Sequence, residues 1–161
     1  MKKSLLFLSA FLIIISCSSN DSNSESLFRS NYNNTSWADA DGVIYTFKTG
    51  KIAYITTNTA CYFSTIGTYS NVEYDGCVYN TVTNSIISED NDTFTVKQTT
   101  SSGTGSFCPA TTVTYTFQVL DENTIDVQTN YDGSQNSYSL TKTNTASTQS
   151  CVDGTPIGFL W

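Results

Sequence analysis

Hydrophobic and polar positions alternate with a period of two along much of this chain. In the clearest run, Thr111 to Val119, Val113, Tyr115, Phe117 and Val119 fall on one face of an extended segment, and Thr112, Thr114, Thr116 and Gln118 on the other. That pattern predicts a strand buried on one side and wet on the other. The same period recurs at Val43, Tyr45 and Phe47, at Ile52 and Tyr54, and at Tyr62, Ser64 and Ile66. It returns at Phe94 and Val96, at Ile125 and Val127, and at Tyr138 and Leu140. No window sustains a helical period.

Turn signals separate these runs. Thr49-Gly50, Asp75-Gly76 and Asp132-Gly133 lie between alternating segments, and Asp-Gly suits a two-residue hairpin turn because both positions accept positive φ. Asp121-Glu122-Asn123 offers a further tight connection. Strands joined in this way make an all-β antiparallel meander of about eight to ten strands, whose exposed edges are removed by closure into a barrel or by folding into a two-sheet sandwich. The barrel is the preferred expectation and the sandwich the alternative. Composition agrees: Thr, Tyr, Val, Ile and Phe are abundant, and the chain has only two prolines. Residues 31–161 have the length of one domain with its own core.

The head of the chain follows a different pattern. Lys2 and Lys3 precede the apolar run Leu5 to Ile15, which ends in Ser16-Cys17. A basic start, a short apolar segment and a small residue at the exit predict a signal peptide over residues 1–16, too short to span a membrane. The exit resembles the lipobox of bacterial lipoproteins, which implies that Cys17 is lipidated and becomes the first mature residue. Residues 17–30 are polar and rich in Ser, Asn and acidic side chains, a flexible tether that holds the domain off the membrane. Acidic, serine-rich tethers of this kind resemble those of surface-exposed lipoproteins in some Gram-negative bacteria. Ser18, in place of aspartate, resembles the pattern of lipoproteins passed to the outer membrane. The resemblance therefore implies a lipid-anchored protein of the outer membrane, with outward display as the further expectation.

Five cysteines, Cys17, Cys61, Cys77, Cys108 and Cys151, leave one over in an exported chain. With Cys17 assigned to lipid, the other four make two disulfides with three possible connectivities. Sequence proximity favours Cys61–Cys77 with Cys108–Cys151. Zinc is disfavoured, since the chain has no CxxC pair and no histidine. The lack of histidine also removes Ser-His-Asp and Cys-His catalysis, imidazole switches and His-ligated metals. The one methionine is Met1, so haem would lack its usual axial ligands and no cofactor is expected. The net charge is −7, and loss of Lys2 and Lys3 with the signal peptide leaves 5 basic against 14 acidic side chains, a net charge of −9. A nucleic acid would be repelled by that surface.

Trp37 near the start of the first strand, an up-and-down meander and a cysteine-bearing tail resemble the lipocalin-like domains of many bacterial lipoproteins. Those domains carry Gly-x-Trp at this point, whereas this chain reads Thr35-Ser36-Trp37, so the resemblance is one of architecture. It implies a cup for a small apolar or amphipathic molecule. Tyr45, Phe47, Tyr54, Tyr115 and Phe117, each on an alternating apolar face, join Trp37 as candidate cavity-lining rings. The competing expectation is that these rings fill the core.

Acidic groups add little chemistry. Glu89-Asp90-Asn91-Asp92 and the pair Asp39 and Asp41 read as solvated turns more readily than as calcium loops. Glu73 and Asp75 form the best pair of carboxylates on one strand face, but Asp75 is explained as a turn residue beside Gly76, and the chain is expected not to be an enzyme. The apolar run Phe159-Leu160-Trp161 is expected to dock on the domain behind Cys151. Two functions are in front: an anchored carrier of a small hydrophobic or amphipathic ligand, and a non-enzymatic surface module with a filled core that meets a glycan or an envelope protein.

Overall fold

The computed structural model describes residues 27–56, 61–74 and 76–144, with backbone alone at 54, 56, 61–64 and 74. Cys17, the predicted signal peptide over residues 1–16, Asp75, Cys151 and the Phe159-Leu160-Trp161 run lie outside the described residues. A four-residue helix, α1 (Phe28–Asn31), precedes eleven strands. They are β1 (Ser36–Ala38), β2 (Ile44–Phe47), β3 (Ala53–Thr56), β4 (Cys61–Ser64), β5 (Gly67–Tyr74) and β6 (Cys77–Glu89). After these come β7 (Thr93–Thr100), β8 (Gly103–Thr104), β9 (Thr111–Asp121), β10 (Thr124–Tyr131) and β11 (Ser134–Thr143).

All described pairings are antiparallel and belong to one sheet, in the order β4-β3-β2-β1-β11-β10-β9-β7-β6-β5, with β8 on β6. Turn chemistry sets the hairpins. Asp132 and Gly133 both take positive φ, 46° and 94°, between β10 and β11, as the Asp-Gly signal requires. At the β9–β10 turn the Asp121 carboxylate accepts the Asn123 amide at 2.8 Å.

The predicted closed barrel is corrected to an open half-barrel, and the described strands form no second sheet of a sandwich. The two edge strands, β4 and β5, are joined by Thr65 and Ile66 alone, so the sheet must roll until its edges meet within about 11 Å at that corner. No ladder forms across the seam. The polar groups of the link are instead taken up by side chains. Asn84 Nδ2 donates to Thr65 O at 3.0 Å, and the Tyr69 hydroxyl bonds both Thr65 Oγ1 and Ile66 O. Thus the predicted strand continuing through Ile66 stops at Ser64, and Ile66 is left exposed.

The inner face of the sheet carries the core. Val113, Tyr115 and Phe117 on β9, Ile125 and Val127 on β10 and Leu140 on β11 alternate inward as the sequence predicts. On β3 the inward positions are Ala53 and Ile55, one residue out of phase with the predicted Ile52 and Tyr54, while Ile52 reaches the core from the preceding turn. Phe28 is wholly buried in the same cluster, so the fold takes in residues 27–30, which the sequence assigns to the tether. Phe28 N donates to Asp90 O at 2.6 Å, which docks α1 at the β6–β7 turn.

Candidate binding surface

Five of the six candidate cavity-lining rings are described, and all five are core. Trp37, Phe47 and Phe117 are fully buried, Tyr45 and Tyr115 nearly so. Phe47 meets Phe117 edge-on at 5.2 Å between centroids and Phe28 at 4.9 Å, and Phe94 stacks on Phe117 at 6.0 Å. These are the separations at which aromatic rings attract one another. The Trp37 indole N–H is satisfied by Thr35 Oγ1 at 2.9 Å. Tyr45 and Tyr138 share a hydrogen bond between hydroxyls at 3.4 Å; burial foremost, with Tyr138 beside it, pushes the Tyr45 phenol far above its ordinary range. The sixth candidate, Tyr54, pairs with Thr46 on the backbone, and its side chain lies outside the description.

The cysteines pair differently from the sequence expectation. Cys77 bonds Cys108, which excludes both Cys61–Cys77 and Cys108–Cys151. Sequence distance misled because β8 folds back on β6, through Val78↔Thr104 and Tyr79↔Gly103, and brings the Cys108 loop to the start of β6. Glycine makes that approach possible: a Cβ at Gly105 would stand 2.5 Å from Cys108 Sγ and 2.6 Å from Gly76 O.

The acidic turns are structural. Asp39 Oδ1 accepts the amides of Asp41 and Val43, and Asp90 Oδ1 those of Asp92 and Thr93. Among the described residues no three His, Cys, Asp or Glu side chains come together as a metal site. Glu73 is exposed on β5.

A concave surface appears elsewhere, on the outer face of β9, β10 and β11, where an open groove encloses about 570 Å³. Strand register builds it as a grid. One row runs Thr116, Gln128, Ser137; the next runs Thr114, Asn130, Gln135. Rows lie about 6.6 Å apart along the strands and neighbours about 4.8 Å apart across them. β7 extends both rows, with Thr95 beside Thr116 and Lys97 beside Thr114. Asp126 lines the same groove and accepts Gln128 Nε2 at 3.2 Å. Asn130 Oδ1 accepts Gly133 N at 2.9 Å, which fixes its side chain at the groove's outer end. The side chains of Thr114, Gln135 and Ser137 form no hydrogen bond among the described residues, so their donors and acceptors face outward.

Such a surface offers hydroxyl and amide groups at regular spacing with little formal charge. Sequence reasoning identified the wet face of β9 but not its use. The available signal was the near absence of charge: apart from the exposed Leu120 at the far end of β9, the outward positions of β9 and β10 are Thr, Gln and Asn around Asp126. No family model, curated protein or solved structure matches the chain.

Proposed function

We propose that this chain is a lipid-anchored protein of a bacterial outer membrane whose β domain is a non-catalytic module that binds an extended, hydroxyl-rich glycan along the β9–β11 groove. The observation that carries this reading is the grid of Thr, Gln, Asn and Ser side chains on the outer face, opposite an inner face filled with rings in mutual contact. A hydroxylated polymer can exchange hydrogen bonds with successive rows, and each exchange adds roughly 0.5–1.5 kcal/mol.

The polarity of the fold supports the same reading. Chain enters at α1, beside the β6–β7 turn, while the outer part of the groove lies near the β10–β11 turn at the opposite end of the sheet. β10 runs from Thr124 to Tyr131 between these ends, a length of about 23 Å at ordinary strand rise. With Cys17 in the membrane, the ten residues to Leu27 add up to about 35 Å of reach. The reading as a carrier of a small apolar ligand has less support, because the rings proposed for its cup pack against one another.

The test is binding of the exported Cys17→Ala protein to a panel of neutral and acidic glycans, beside the Gln128→Ala/Asn130→Ala double variant. Binding weakened about tenfold or more by the double substitution supports the reading, since two lost hydrogen bonds suffice for that change. No glycan bound, or equal binding by both proteins, overturns it. For the anchor, Cys17→Ala should move the protein from the membrane to the soluble fraction.

A further inference from the structure

β4 is an edge strand. It pairs with β3 from Thr56↔Cys61 to Ala53↔Ser64, and its far side meets no strand among the described residues. An edge of this kind presents unpaired N–H and C=O groups and invites pairing with another chain unless something covers it. Cys61 sits on that edge, and with Cys77 and Cys108 already joined, Cys61 and Cys151 are the two domain cysteines left.

Register shows that the two can meet. Thr143 pairs with Ser36, Ser36 with Thr46, Thr46 with Tyr54 and Tyr54 with Phe63, so the end of β11 lies four strand spacings from β4. Four spacings amount to about 19 Å, and the two-residue step from Phe63 to Cys61 makes the path about 20 Å. Eight residues lead from Thr143 to Cys151, and an extended chain of that length covers about 26 Å. Cys151 therefore reaches Cys61 with slack, and the curl of the sheet shortens the direct path.

We propose that Cys61 and Cys151 form the second disulfide and that residues 152–161 lie over the open edge of β4. The side chains delivered there, Ile157, Phe159, Leu160 and Trp161, would otherwise form an apolar patch, while the far edge of β4 meets no strand among the described residues. The bond forms by thiol–disulfide exchange with a donor disulfide of the export compartment. Two thiols lose two protons and two electrons, and the donor gains them as a dithiol. The count rests on Cys17 being consumed by lipid.

Peptide mapping of the full chain, recovered from the envelope with free thiols blocked and digested without reduction, tests the pairing and reads Cys17 separately. A peptide pair joining Cys61 to Cys151, two hydrogens lighter than its separate parts, is expected. A blocked thiol at either position, or a link from either to Cys17, overturns the proposal. Covering of the edge is read by hydrogen exchange in a chain ending at Cys151. Its β4 amides should exchange about tenfold faster than in the full chain, or more, while β9 amides keep their protection and report an intact fold. Should the shortened chain fail to fold, the full chain with Phe159→Ser and Trp161→Ser gives the same readout. Unchanged β4 exchange, or β4 protection that appears only as the full chain dimerises and so assigns the edge to a second copy, overturns the covering.

Discussion

Arg29 and Glu89, sixty residues apart, are locked together by three hydrogen bonds: Nη2 to Oε2 at 2.8 Å, Nε to Oε1 at 3.1 Å and the Arg29 amide to Oε1 at 2.8 Å. The guanidinium also lies 5.3 Å over the Phe94 ring and donates to Lys51 O. The pair is largely shielded from solvent, so it ties α1 to both the β6–β7 turn and the β2–β3 turn.

Removing one partner leaves the other charged with little water around it. Arg29→Ala is expected to lower the unfolding free energy by about 2–4 kcal/mol, read from urea denaturation. Burial acts to raise the Glu89 carboxyl, yet the hydrogen bonds and charge of Arg29 outweigh it and hold the group below its ordinary 4.5. A carboxyl depressed by folding contributes stability that is complete above the unfolded value and lost as pH falls through the folded one. Wild-type stability should therefore fall below about pH 4.5, with a shallower fall in Glu89→Gln.

The Cys77–Cys108 bond closes a loop of sequence separation 31. Loop-closure entropy gives it about 3–4 kcal/mol. Cys77→Ser/Cys108→Ser should lose that amount in denaturant titration, and an unchanged midpoint would refute the estimate.

Gly105 has φ +148° and no room for a Cβ between Cys108 Sγ and Gly76 O. Gly105→Ala should lower the melting temperature by several degrees, as expected for a loss of about 1–3 kcal/mol in a domain this size. Gly50→Ala is the control, with positive φ and nothing within 4 Å of the added Cβ, and should cost less.

The inner and outer faces should separate in mutagenesis. Phe117→Ala removes a fully buried ring from the aromatic cluster and should cost about 3–5 kcal/mol. Gln135→Ala and Ser137→Ala, on the exposed face, should stay within about 0.5 kcal/mol of wild type. Destabilisation by the groove substitutions comparable to Phe117→Ala would show that the grid is a structural feature.

Tyr45 supplies an alkaline limit. Its phenol is raised by folding above the ordinary 10.0, so the stability it contributes is complete below that pH and declines as pH rises beyond it. Tyr138, which shares the hydroxyl hydrogen bond, is raised by burial as well, so tyrosinate absorbance should show late ionisation of this pair together with loss of the fold, and Tyr45→Phe should reduce the amplitude of that step.

Much of this was legible in sequence because it depends on neighbours. Alternation fixed which face of β9, β10 and β11 turns inward, and Asp132-Gly133 fixed a hairpin, since both are decided within a few residues. The five described candidate rings lie inside, whereas the expected phase of β3 placed Tyr54 where Ala53 and Ile55 turn inward; and a period of two cannot distinguish a ring that lines a cavity from one that meets another ring. Phe28, beyond the expected boundary, shows the same limit: nothing in Leu27-Phe28-Arg29 reveals that Glu89 and Asp90 wait sixty residues on.

By itself, then, the sequence determined an all-β meander, the inward faces of β9, β10 and β11 and the Asp132-Gly133 turn. Tertiary structure alone decided that the sheet rolls without closing, that Cys77 meets Cys108, and that the outer rows of β9, β10 and β11 align into a groove. The reason is physical. Strand pattern is a local property of φ, ψ and burial, whereas edge pairing, disulfide partners and cross-strand rows depend on distances between segments that only the completed fold sets.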